Sequence, residues 1–89
     1  MIRESTWTVD VFLTEGDGVT WAEAVLRSGA DRELRGTGMA RCDPDDYDIP
    51  EIGDEVAASR ALADLARRLR RTATDDIETI TGVHARVHP

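Results

Sequence analysis

The second half of the sequence carries apolar residues at the spacing of an α-helix, and this pattern constrains the fold most. Across residues 54–71 apolar side chains recur every three or four positions, and alanine, the strongest helix former, is frequent. We expect a core-facing stripe made of Ala58, Leu62, Leu65, Ala66 and Leu69, continued by Ala73, Ile77 and Ile80. Gly82 suits a helix C-terminus. Residues 72–76 are weak helix formers, so the sequence allows either one helix to Gly82 or a break followed by a second helix.

Before this helix, apolar and polar residues alternate as they do in β-strands. The clearest strand spans residues 5–14, and its expected core face consists of Trp7, Val9, Val11 and Leu13. Residues 15–18 read Glu-Gly-Asp-Gly, which favours a tight hairpin turn. We therefore predict a second strand over residues 19–27, although this segment could also line a short helix. A third strand is predicted over residues 33–42, and one face of it carries mostly small residues that leave room for a helix.

These elements predict an α+β fold, in which a three-stranded antiparallel meander is packed by a long or broken C-terminal helix. The element order is β-β-β-α or β-β-β-α-α. Residues 1–89 are too few for a second independent core, so we expect a single domain. Three short strands and one helix give a thin core. We therefore expect a homodimer, formed by joining sheets at an edge or by exchanging elements.

The charge of the chain argues against DNA and other indiscriminate polyanion binding. The formal net charge is -7, whereas such binding needs an excess of cations to displace phosphate counterions. The charges are segregated, because residues 43–55 hold seven acids and no cation, whereas residues 60–71 hold five arginines and one aspartate. The acidic segment lacks the glycine and the closing glutamate of a calcium-binding loop, so we expect no metal there.

The five arginines are the candidate partner-binding residues: Arg60, Arg67, Arg68, Arg70 and Arg71. On a helical wheel the first, second and last of them form one stripe opposite the expected core leucines, and the other two flank it. This stripe faces either an acidic or phosphate-bearing partner, or carboxylates of the protein itself. In the second case the arginines pair with Asp64 at three- and four-residue spacing, or with the acidic segment of another copy.

No motif predicts catalysis or a cofactor. Gly36 and Gly38 lack the third glycine and the following helix of a dinucleotide-binding turn. His84 and His88 have zinc-ligand spacing but lie in a short tail, and Cys42 is the single thiol. We expect a protein that is not an enzyme and that holds neither a metal nor a cofactor. The single cysteine and the lack of a signal peptide or an apolar membrane span favour the cytoplasm.

Motifs across nearly the whole chain resemble those of a known family. They are Trp7, residues 36–41 (Gly-Thr-Gly-Met-Ala-Arg), Pro44, residues 49–55 (Ile-Pro-Glu-Ile-Gly-Asp-Glu), residues 60–62 (Arg-Ala-Leu) and residues 76–78 (Asp-Ile-Glu). The sequence resembles an actinobacterial family of small domains of unknown function associated with dormancy and hypoxia responses. The resemblance implies a dsRBD-like fold and a dimeric assembly similar to those of ribosome hibernation promoting factors, and at most a ribosome-associated role.

Two functions follow from these observations. One is a non-enzymatic stress and dormancy protein that acts as a dimeric interaction module with a protein partner. The alternative is a ribosome-associated, hibernation-like RNA-binding factor. The net charge of -7 and the acidic segment favour the first function, whereas the family resemblance favours the second.

Overall fold

The computed structural model describes residues 1–29, 32–41, 50–82 and 87. In these ranges the chain forms three strands and one helix: β1 (Thr8–Gly16), β2 (Val19–Arg27), β3 (Glu33–Arg41) and α1 (Pro50–Thr81). The predicted α+β fold and its β-β-β-α order are confirmed. Helix α1 runs through residues 72–76 without a break, so the continuous helix is the correct alternative. It ends at Thr81, and the next residue, Gly82, closes the last turn with a positive φ of 67° and an N–H bond to the Glu78 carbonyl.

The strands form an antiparallel meander in the order β1-β2-β3. Asp17 and Gly18 connect β1 to β2, and both have positive φ, as the shortest hairpin turns require. In the strand register, Val11 lies opposite Ala24, and Ala24 lies opposite Gly36. Because directly opposed residues point to the same face, this row crosses the face of the sheet on which α1 packs.

Helix α1 lies close against β3 because two glycines leave space for its backbone. A Cβ atom added at Gly36 would lie 2.4 Å from both the Ala61 oxygen and the Leu65 nitrogen. One added at Gly38 would lie 2.4 Å from the Ala57 oxygen and the Ala61 nitrogen. The prediction that the small-residue face of β3 admits a helix is therefore confirmed.

The core under α1 is built mainly from small side chains. Among the described residues, the buried apolar ones are Ala22, Ala24, Val25, Leu26, Ala40, Ala57, Ala61 and Leu65. Val25, the largest fully buried side chain, lies opposite Asp10 and Arg35 and so points to the helix-free face of the sheet, and β1 contributes none of the buried residues. Apart from Leu26 and Leu65, the buried core cluster under α1 therefore consists of alanines.

Two expectations about the core were wrong. In the predicted helix stripe, Leu65 is buried in the core and Leu69 packs against it as expected, whereas Leu62 and Ala66 are exposed. The other residues of the helix face against the sheet are Ala57 and Ala61. Close approach over glycines selects the alanine-rich face, which explains why the helix is rotated relative to the prediction. The expected core face of the first strand is also exposed, although it points to the side of the sheet that carries α1.

Candidate interaction site

A row of large apolar side chains follows β1 and the residue before it, and in the described part of the chain these side chains remain exposed. We call Trp7, Val9, Val11 and Leu13 the β1 stripe, and these side chains are 36 to 53% exposed. The last three lie opposite Leu26, Ala24 and Ala22, which are buried on the helix side of the sheet. Strands are spaced about 4.8 Å apart and a helix is about 10 Å wide, so one helix covers two strands. Because α1 lies mainly over β2 and β3, it leaves most of β1 uncovered.

The flank of α1 that faces β1 is also apolar. We call Leu62, Ala66, Leu69, Ala73, Ile77 and Ile80 the α1 seam, and these residues follow one another at intervals of three and four. At about 100° per residue, the seam lies on the flank opposite the one that contacts the outer edge of β3. Four members of the seam are exposed, and Ile80 reaches 83%. The β1 stripe and the α1 seam thus form the floor and the wall of one open apolar surface.

The floor and the wall meet in a pocket of about 280 Å³. Its apolar lining includes Trp7 from the β1 stripe and Leu69 and Ala73 from the α1 seam. Arg32 and Asp76 also line it, and the two Arg32 guanidinium nitrogens donate to the two Asp76 carboxylate oxygens at 2.8 and 3.4 Å. These hydrogen bonds lower the pKa of Asp76 and raise that of Arg32. The ion pair ties the C-terminal half of α1 to the start of β3.

The opposite flank of α1 covers the outer edge of β3. The Asp64 carboxylate accepts a hydrogen bond from the Thr37 backbone N–H at 2.9 Å, and Arg60 donates to the Met39 carbonyl at 2.7 Å. The Thr37 bond, followed by a hydrogen bond from Arg68, lowers the pKa of Asp64. Because these side chains occupy backbone groups that an added strand would need, the edge of β3 is protected against pairing.

The five candidate arginines divide into three groups. The expectation that Arg60 lies opposite the core was wrong, because its side chain reaches over the edge of β3. The predicted pairing of Asp64 is confirmed for Arg67 at 3.6 Å and for Arg68 at 3.1 Å. Arg71 is exposed and Arg70 is half-buried on the back of α1. Partner binding by these arginines stays a prediction.

The face of the sheet that does not contact α1 carries ion pairs and exposed apolar side chains. The sequence did not predict a function for these residues. Arg35 bonds Glu23 and Glu33 at 2.5 and 3.1 Å. Phe12, Trp21 and Met39 are exposed on the same face. The sequence contains one indication that this face is partly apolar: Phe12 is an apolar residue at a position where the alternation of the first strand calls for a polar one.

In the part of the chain that the structure describes, no three His, Cys, Asp or Glu side chains are grouped so as to hold a metal ion. The predictions for residues 43–49, His84 and His88 lie outside the described residues. Among those that are described, no helix has the length and apolarity needed to cross a bilayer.

The chain is similar in sequence and in fold to mycobacterial proteins over most of its length. A family model described as Rv2632c-like matches residues 5–86. Uncharacterized protein Mb1767 of Mycobacterium bovis is 47% identical over 81 residues, which cover 91% of this chain and 85% of the relative. Uncharacterized protein Rv2632c of Mycobacterium tuberculosis is 44% identical over 84 residues, 89% of each chain. The crystal structure of Rv2632c superposes with a TM-score of 0.80 at 44% identity, covering 90% of this chain and 94% of that one.

Proposed function

The chain belongs to the Rv2632c-like family, and from that premise we propose that it is a non-enzymatic interaction module that works as a homodimer. The observation that carries this proposal is the exposed β1 stripe, which lies on the face of the sheet that elsewhere forms the core. Large contiguous apolar patches on small soluble domains mark interaction sites. The adjoining α1 seam enlarges the patch on a second element.

The small core favours a second copy of the chain as the partner. A domain of this size rarely gains more than about 3–5 kcal/mol from its own core, and oligomerisation is one way to add stability. Here five of the eight buried apolar residues in the described ranges are alanines. A partner that is needed for stability must be present whenever the chain is made, and another copy of the chain meets that condition.

The solvent-accessible surface area of the chain also favours a dimer. The chain exposes 7121 Å², whereas a compact monomer of 9.8 kDa exposes about 5,200 Å². One partner in a standard interface buries about 800 Å². The long helix accounts for part of the excess, and the proposed dimer would bury an area of about that size on the β1 stripe and the α1 seam of each copy.

A role in stress and dormancy is part of the proposal, and the family resemblance supports it. We expect the protein to accumulate under oxygen limitation in the cells that make it, which quantitative immunoblotting measures. The alternative, a ribosome-associated RNA-binding factor, needs arginines that are available to phosphate. Arg60, Arg67 and Arg68 are already engaged within the chain, and the net charge is -7.

Sedimentation equilibrium tests the homodimer directly. We expect a mass of twice 9.8 kDa at micromolar concentration, with the helical far-ultraviolet circular dichroism of a folded protein. A well-folded species of 9.8 kDa at that concentration would contradict the proposal.

A further inference from the structure

We propose that in the homodimer each α1 lies across the β1 stripe of the other copy, so that two parallel helices are enclosed between two sheets. The inference rests on the proposed function, because it names the part of the second copy that fills the open apolar surface.

The shape of the open surface fits a helix. On the helix side of the sheet, the space over β1 next to α1 is about one helix wide, since packed helix axes lie about 8–10 Å apart. Its wall is the α1 seam, with apolar residues at intervals of three and four. This spacing is typical of surfaces that pack against another helix along their length. The missing element is therefore a helix that contacts the α1 seam and the β1 stripe together.

A second α1 has the matching surfaces. Its own seam can pack against the seam of the first copy. Its back, which points away from its own sheet, carries the exposed Ser59 and Ala63, then Ala66 where the back meets the seam, and finally the half-buried Arg70. Small side chains let a helix backbone approach the large side chains of the β1 stripe closely. The back of one α1 and the β1 stripe of the other copy thus complement each other in size.

The symmetry of the dimer follows from these two contacts. Each α1 stays on its own β2 and β3 and also lies over the β1 of the other copy. A two-fold axis that satisfies both conditions runs between the helices and parallel to them. The two helices are then parallel and in register, and residues at one level meet residues at the same level. Val11 lies in the same cross-strand row as Gly36, and Gly36 lies under the Ala61 and Leu65 level of α1. Because the two helices are in register, Val11 faces the same level of the other copy's α1. The residues on the back of that helix at this level are Ala63 and Ala66.

Two further features agree with this arrangement. Helix α1 has 32 residues and extends about 48 Å, whereas a nine-residue strand extends about 30 Å. Its C-terminal turns therefore project beyond the sheet, where Ile77 and Ile80 meet the same residues of the other helix. Arg60, Arg67 and Arg71 lie on the flank away from the seam, so the dimer leaves their charges in water. Arg70 lies on the back of α1, so in this dimer its long side chain must extend to the edge of the interface to keep its guanidinium solvated.

A mixing experiment with charged variants tests the contact between β1 and the second α1. We expect Val11→Glu and Ala66→Arg each to weaken the homodimer at least about 100-fold, because each buries two unpaired charges per dimer. In a 1:1 mixture, the glutamate of one chain meets the arginine of the other, and the second contact keeps its wild-type residues. The mixture should therefore recover the dimeric mass. Phe12→Glu is the matched control, because Phe12 is the next residue and points to the opposite face of the sheet; it should leave the dimer unchanged.

Each outcome of this experiment decides the question. Recovery of the dimer in the mixture, with recovery of helical circular dichroism if the single variants are unfolded, supports the arrangement. If the single variants stay dimeric, or if the mixture stays monomeric, the proposed arrangement of the helices is contradicted. Neither result contradicts the homodimer itself. A folded monomeric wild type overturns both the arrangement and the proposed function.

Discussion

Substitution of Gly36 by alanine tests whether close packing of α1 on β3 holds the fold together. The added Cβ would lie 2.4 Å from the Ala61 oxygen and the Leu65 nitrogen, and 2.7 Å from the Leu65 Cα. All three are backbone atoms, so no side-chain rotation can relieve the contact. Since carbon contacts are optimal at about 3.5–4.0 Å, the helix must move away from the sheet by about 1 Å.

The size of the effect follows from that displacement. A gap of about 0.5–1 Å forfeits a quarter to a half of the dispersion attraction of the atoms that face it. Overpacking of this kind typically costs about 1–3 kcal/mol, and alanine returns about 0.4–1 kcal/mol by restricting the unfolded chain. We expect a net loss of about 1.3 kcal/mol, which lowers the Tm by about 5–10 °C in a domain of this size. The total free energy of unfolding of such a domain is only about 4–13 kcal/mol.

Urea denaturation followed by circular dichroism at 222 nm, at one fixed protein concentration, measures the loss. Gly16→Ala is the matched control, because Gly16 also lies in a strand and the nearest atom to its added Cβ is 4.0 Å away. The control should stay within about 0.5 kcal/mol of the wild type, as is usual for substitutions away from packed sites. If Gly36→Ala unfolds together with Gly16→Ala, the reasoning about helix packing is refuted.

Three further predictions concern the dimer, the edge of β3 and the arginines. In a Cys42→Ser background, Ile80→Cys should form a disulfide-linked dimer on non-reducing gels. In two parallel helices in register, residue 80 of one chain lies next to residue 80 of the other. A dimer that does not cross-link would indicate another geometry. Since hydrogen bonds lower the folded-state pKa of Asp64, its stabilising effect is complete above the unfolded-state pKa and is lost as the pH falls through the folded-state pKa. Asp64→Asn should therefore flatten the acid side of the stability profile measured by urea denaturation, and an unchanged profile would show that the Thr37 contact is unimportant. Wild type and the triple variant Arg67→Gln, Arg70→Gln, Arg71→Gln should both fail to co-sediment with ribosomes; salt-sensitive binding by the wild type that the variant loses would favour the RNA-binding alternative.

The order of the elements could be predicted from the sequence because each local signal agrees with the final fold. Alternation marks the first strand, and Asp17 and Gly18 supply the hairpin turn that the structure shows. Gly36 and Gly38 leave room where α1 approaches. The alternative of a helix break over residues 72–76 could not be resolved locally, because contacts of this part of α1, such as the Arg32–Asp76 pair, join residues far apart in sequence.

The candidate site was only partly predictable. The pairing of Asp64 with Arg67 and Arg68 follows from helical spacing and is present. The contact of Arg60 with the Met39 carbonyl depends on how the helix is rotated over β3, which no local pattern specifies. The exposure of the β1 stripe depends on which two strands α1 covers, and that choice is made by the glycines of β3 rather than by β1 itself.

The rotation error in α1 has a physical cause that bears on the dimer. The hydrophobic pattern of a helix gives a single mean apolar direction, and every apolar residue contributes to it, including residues that face a partner rather than the helix's own sheet. At about 100° per residue, Leu62 lies about a quarter turn from Ala61, so the predicted stripe is centred between the face on the sheet and the α1 seam. One three-stranded sheet occupies only the first of these two faces. A helix whose apolar arc is wider than its own sheet can cover has apolar surface left for a second contact. In the dimer that we propose, this contact is the α1 seam of another copy, and the back of that second helix covers the β1 stripe.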